Sequence, residues 1–205
     1  MSGVPEELSA LVRGWIDRGE RRVVGIAGAP GAGKSTLSAG LRAEFGDACV
    51  VVPMDGFHLA PEELTRLGRA ERKGAPDTFD AAGFVALLRR LRSADDTVYA
   101  PEYRRELHHA VAGAIPVPPR VPVVIVEGNY LLCDTDGFGP VRELLDECWF
   151  VDLDESTRVD RLVRRHVATG KSPDAARAWT LGPDQRNAEL IAATADRADR
   201  VIRLG

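Results

Sequence analysis

Residues 28–35 read Gly28-Ala29-Pro30-Gly31-Ala32-Gly33-Lys34-Ser35, followed by Thr36. Two glycines five positions apart, then a lysine and a hydroxyl residue, leave few folds open to a chain. Glycines permit the positive φ angles at which successive backbone N–H groups converge on one anion. In such a loop Lys34 carries its charge to the β- and γ-phosphates of a nucleotide, and the Ser35 hydroxyl holds Mg2+. An octapeptide also arises by chance, so its flanks decide. Arg21-Arg22-Val23-Val24-Gly25-Ile26-Ala27 reads as a short buried strand, and Leu37, Leu41 and Phe45 stand four apart on a helical face. Strand, loop and helix come in the required order, so residues 28–36 are expected to hold nucleotide phosphates.

The remaining chain repeats the alternation. An amphipathic helix is expected over residues 6–18, with Leu8, Leu11, Val12, Trp15 and Ile16 on one face and Gly19 as its stop. Cys49-Val50-Val51-Val52-Pro53 reads as a second strand and Val121 to Val126 as a third. Residues 148–152 read as a fourth strand, and Arg200-Val201-Ile202-Arg203 closes the sheet. Between them, Pro61 opens a helix, Asp80 caps one over 81–92, and further helices are expected near 156–168, 173–179 and 184–194. Apolar strands alternating with helices imply an α/β fold, a parallel sheet covered on both faces. Residues 69–76 read as an exposed charged loop, and 97–119 as an irregular insertion covering a site.

A chain of 205 residues is expected to form a single domain spanning 1–205. Its net charge of −4 offers no global attraction for nucleic acid, which argues against that partner class. The three cysteines, Cys49, Cys133 and Cys148, lie in or beside apolar runs and read as reduced core thiols. No apolar run reaches the length of a membrane span, and the first residues lack the pattern of a secretory signal, so a cytoplasmic location is expected. Lysine occurs only at Lys34, Lys73 and Lys171, a bias from which no function follows.

In parallel sheets, ligands bind beyond the carboxyl ends of the strands. Asp55 follows the second strand and Glu127 the third, which suits a general base or an organiser of Mg2+. Glu127 and Ser35 form the expected metal-side pair. Arg158, Arg161 and Arg165 share one face of the helix after the fourth strand, where guanidinium forks suit phosphate oxygens. Tyr99, Tyr103, Arg104, Arg105, His108 and His109 cluster in the insertion, aromatics beside basic groups that suit a polar small molecule.

Taken together, Gly28 to Ser35, Met54-Asp55-Gly56-Phe57-His58, Lys73 to Asp80 and Val124 to Tyr130 resemble the phosphoribulokinase/uridine kinase/pantothenate kinase branch of P-loop kinases. The nearest likeness is to its nucleoside/nucleotide kinase-like members, some labelled fructose-transport kinases. The likeness continues through Arg161 to Ser172 and Asp184 to Ala188. It implies a three-layer sandwich around a five-stranded parallel sheet in order 2-3-1-4-5, a helical lid over 155–172, and ATP with Mg2+ as donor. By the same resemblance Asp55 is the catalytic aspartate, Glu127 the acidic residue near metal and substrate, and Arg161 and Arg165 lid positions. His58, Tyr103, Arg104 and Asn129 join Asp55 and Glu127 on the acceptor side. Arg104 stands where uridine kinases carry an aspartate after Pro-x-Tyr; that reversal of charge favours an acceptor bearing a carboxylate or phosphate.

The expected function is an ATP-dependent kinase acting on a hydroxyl of a nucleoside, sugar or vitamin alcohol. An ATPase or nucleotide switch with no small-molecule acceptor is the alternative, and a homodimer is left open.

Overall fold

A computed structural model describes residues 4–93 and 95–203. Runs of β-branched residues form the strands that the sheet buries on both faces. These are β1 (Arg22–Gly28), β2 (Cys49–Pro53), β5 (Val123–Glu127), β6 (Glu147–Asp152) and β7 (Arg200–Arg203), all parallel, in spatial order β2-β5-β1-β6-β7. Counting only this sheet's strands along the chain, the order is the expected 2-3-1-4-5. A separate antiparallel hairpin, β3 (Val98–Arg104) and β4 (His109–Val117), is inserted between β2 and β5 in sequence.

The period of two along each strand divides the core. Val24, Ile26, Val123 and Ile125 face α1 (Glu6–Asp17) and α2 (Lys34–Phe45), where Leu8, Val12, Leu37 and Leu41 are buried. Trp15 stacks on Trp149 there, with ring centroids 6.3 Å apart. Val23, Ala27, Val124 and Val126 face the other way, onto α4 (Ala81–Arg92) and the roots of the hairpin. Asp80 starts α4 by accepting a hydrogen bond from the Gly83 N–H at 2.8 Å, so Phe84, Leu87, Leu88 and Leu91 fall on its buried face. All three cysteines are buried free thiols; burial pushes Cys49 and Cys133 up to about 11 and Cys148 to about 12.

A short helix, α3 (Pro61–Arg66), opens on its proline as expected. After β6, Asp154 caps α5 (Glu155–Ala168) and Ser172 caps α6 (Pro173–Trp179). The chain then passes through a wide π-helical turn, Thr180–Asp184, into α7 (Gln185–Ala192). His166 on α5 and Asp184 in that turn meet at 2.7 Å, tying the two helical segments together.

The insertion is more regular than its sequence suggests. Only its outer pieces read as β-like, yet β3 runs on through Arg104 and β4 starts at His109. The hairpin docks on the turn Met54–Phe57 that follows β2, and Gly56 is what lets it approach. A Cβ on Gly56 would lie 2.4 Å from the Pro101 carbonyl oxygen. Gly56 therefore admits the hairpin. Gly56→Ala should cost about 1–3 kcal/mol through this backbone clash. Gly139→Ala, whose new methyl meets nothing nearer than 3.4 Å, should stay within about 0.5 kcal/mol. Urea unfolding of the two variants is the check; equal midpoints would show that the hairpin can yield freely.

Candidate active site

The loop between β1 and α2 is shaped by close packing as much as by its ligand-binding pattern. Gly31 and Gly33 adopt φ of +83° and +108°, and a Cβ on Gly31 would lie 2.8 Å from Leu162 Cγ of α5. Lys34, the first residue of α2, turns back over the loop. Its ammonium donates to the carbonyls of Gly28 (2.7 Å) and Ala29 (3.0 Å) and to Asn129 Oδ1 (2.7 Å). Desolvation lowers the Lys34 pKa to about 8, although Asp55 and Glu127 nearby favour its charge.

Register places Glu127 beside Ile26 and Pro53, at the carboxyl end of the sheet. Ser35 Oγ donates to its Oε1 at 3.1 Å and Ser38 Oγ to its Oε2 at 3.2 Å. Burial raises the Glu127 pKa against the pull of Lys34 and the two hydroxyls. Ser35 and Glu127 make a pair of hard oxygen donors next to the loop, the donor chemistry Mg2+ prefers, so the residues present fit that ion.

Asp55 stands at the end of β2 with its carboxylate 43% exposed toward the cleft and no hydrogen-bond donor to it among the described residues. His58 Nε2 lies 4.0 Å away. The His58 ring is stacked on Phe79, with centroids 4.0 Å apart, and edge-on to Tyr103 at 5.1 Å. Desolvation depresses its pKa to about 4, so it is neutral at pH 7 and adds no positive charge beside Asp55. Lys73 donates to the Tyr103 hydroxyl at 2.8 Å, and the backbone beside it is held where Tyr130 and Asn187 both donate to the Gly74 carbonyl.

These side chains line two chambers that meet at the loop. The larger, about 640 Å3 and named the donor chamber for the nucleotide proposed for it below, is bounded by Gly31, Gly33, Thr36, Arg161 and Arg203. The smaller, about 320 Å3 and named the acceptor chamber for the molecule proposed for it below, is bounded by Asp55, His58, Lys73, Tyr103, Arg105 and Asn129, among others. Lys34, Ser35 and Arg165 line both. The three arginines that share a face of α5, Arg158, Arg161 and Arg165, part company. Arg158 is buried beneath the loop and donates to Gln185 Oε1; Arg161 reaches the donor chamber; Arg165 reaches the junction.

A family model described as "Phosphoribulokinase / Uridine kinase family" matches residues 23–204. The chain belongs to that family. It is 37% identical to the ATP-dependent kinase-like protein notR' of Aspergillus versicolor over 67% of this chain and 86% of that one. It is 30% identical to a uridine kinase of Clostridium perfringens over 70% of this chain and 67% of that one. The crystal structure of a "putative fructose transport system kinase" from Silicibacter sp. TM1040 superposes with a TM-score of 0.82 at 40% identity, covering 95% of this chain and 98% of its own.

Within this P-loop kinase frame, most residues picked out in the sequence converge, but Tyr99, Arg104 and His109 of the hairpin and Arg158 of α5 line neither chamber. Arg104 is exposed on the hairpin and pairs with Glu102 at 3.2 Å, outside both chambers. Alternation along β3 is the reason: Tyr103 faces the cleft, so Arg104 faces away, and Arg105 in the turn comes back to line it. Asn129 lines the cleft but spends its carbonyl on Lys34. The segment 69–76, expected as an exposed loop, is exposed at residues 70–72, while Lys73 and Gly74 turn in to form a cleft wall. The sequence assigns no role to Lys171 or Trp179; the Lys171 ammonium sits 4.5 Å from the Trp179 ring centroid, and both line the acceptor chamber. All three lysines of the chain therefore meet in one cleft, a convergence that their spacing in sequence does not disclose.

Proposed function

We propose that this chain transfers the γ-phosphoryl group of ATP to a hydroxyl of a small molecule. The observation that carries the reading is the shared boundary of the two chambers: Lys34, Ser35 and Arg165 belong to both, so a phosphoryl group at that boundary is within reach from either side. Asp55 opens into the acceptor chamber and takes the proton of the attacking hydroxyl. The acceptor oxygen bonds to phosphorus as the bond to the β–γ bridging oxygen breaks, and ADP leaves. Lys34 and Arg165 donate to the oxygens on which charge accumulates, while Arg161 acts on the donor side. Mg2+ accompanying the nucleotide would be held by Ser35 and Glu127 and would neutralise phosphate charge.

The family includes uridine kinases, as the Clostridium relative is named, and the acceptor set we propose spans nucleosides, sugars and vitamin alcohols. No described helix is long and apolar enough to cross a membrane; a cytoplasmic enzyme with no nucleic-acid partner completes the proposal. ADP release measured across that set, with the mass of each product confirmed, is the test. The expected outcome is acceptor-dependent ADP and a product heavier by one phosphoryl group. ADP release that no acceptor stimulates would favour an ATPase or switch instead.

A further inference from the structure

The acceptor chamber holds more positive charge than phosphoryl transfer requires. Lys34 and Arg165 sit at its junction with the donor chamber, and Lys171 lies over Trp179. That leaves Lys73 and Arg105 on the wall formed by the 69–78 segment and the hairpin turn. Neither has a carboxylate within 4.0 Å among the described residues. The cations just outside the chamber are neutralised: Arg69 and Arg72 by Asp77 at 3.3 and 2.7 Å, and Arg104 by Glu102. Of the chamber's three carboxylates, Glu127 is engaged by Ser35 and Ser38 and Asp184 by His166, while Asp55 lies beyond 4.0 Å of both Lys73 and Arg105.

Lys73 is also held in place. Its ammonium bonds the Tyr103 hydroxyl and lies 4.9 Å from the ring centroid of the same tyrosine. The fields of Lys73 and Arg105 overlap, since both contribute to keeping neighbouring His58 neutral. Two cations with no carboxylate partner line one chamber together with a neutral, aromatic-stacked histidine, and a ligand there can supply the counter-charge.

We propose that the phosphoryl acceptor carries an anionic group, a carboxylate or a phosphate, held by Lys73 and Arg105 while its hydroxyl is presented to Asp55. This rests on the kinase reading above. It makes Lys73 and Arg105 specificity-determining residues that act on the acceptor alone.

The test compares acceptors that differ only in the anionic group, using the full chain with ATP and Mg2+. The carboxylate arm pairs glycerate with glycerol and gluconate with glucitol; the phosphate arm pairs ribose 5-phosphate with ribose and uridine 5′-monophosphate with uridine. In one arm the charged member should have a kcat/KM at least about 10-fold above its neutral partner, the scale of a charge-assisted hydrogen bond. The arm that responds identifies the anion. Lys73→Gln with Arg105→Gln should then raise the KM of the charged acceptor about 10- to 100-fold, leaving the KM of ATP within about twofold. Arg105 is exposed and glutamine can still donate to Tyr103, so both variants should fold, which circular dichroism verifies. Equal use of charged and neutral partners, or an equal loss on both in the double variant, overturns the anionic acceptor while leaving the kinase standing. No acceptor-dependent ADP with any of the eight compounds or the wider nucleoside, sugar and vitamin set overturns both.

Discussion

Lys34→Ala should abolish nearly all ATP-dependent turnover while the protein stays folded. The ammonium is enclosed by the Gly28 and Ala29 carbonyls and Asn129 Oδ1, all at the cleft, and supports no part of either core cluster. Losing a charge aimed at developing negative charge costs on the order of 10²–10³-fold or more in turnover. The pH dependence carries a second signature. The free enzyme's Lys34 pKa lies near 8, below its ordinary 10.5, so the unfolded chain binds the proton more tightly. Between those two values the stability of the free protein should rise with pH. Over the same range Lys34 loses its charge, so kcat/KM for ATP should fall as pH rises through about 8. In Lys34→Ala both effects should vanish. Thermal melts and initial rates from pH 6.5 to 10 suffice; an alanine variant with wild-type turnover would remove the loop from the mechanism.

Asp55→Asn should slow the chemical step by about 10²–10⁴-fold, the range of a positioned general base, with ATP affinity held within a few-fold. The competing explanation is an aspartate that merely shapes its turn, a role asparagine fills equally well. Asp80 and Asp154 illustrate such a role, each accepting a hydrogen bond from a backbone N–H three residues on. The Asp55 carboxylate accepts none among the described residues and opens into the acceptor chamber instead. Its partner at 4.0 Å, His58, is held neutral by burial and does not quench it. Single-turnover rates and nucleotide titrations of the variant separate the two roles. A near-normal chemical step would pass the base to Glu127, the other carboxylate at a strand end.

Elements governed by near neighbours are legible in the amino-acid sequence. The loop from Gly28 to Ser35 declares itself because its φ requirements and its charge are local. Asp80 announces α4 because cap and first turn lie within three residues of each other. The strands read correctly because burial on both faces demands unbroken apolar runs, and their order followed from resemblance across most of the chain. Tertiary packing decided which side of each element meets the cleft. Arg158, Arg161 and Arg165 share a face, but seven residues of helix span about 10 Å. One end of that face is therefore pinned under Gly31 while the other reaches the chamber junction. Arg104 and Arg105 are adjacent in sequence, and the docking of the hairpin on Gly56 sends one to solvent and the other to the cleft. Lys34, Lys73 and Lys171 look unrelated along the chain, since what unites them is the meeting of a loop, a turn and the link between α5 and α6 in space. The phosphate-binding motif is contiguous and shows in sequence; the cleft beside it is assembled from distant segments, so only the fold brings its charges together.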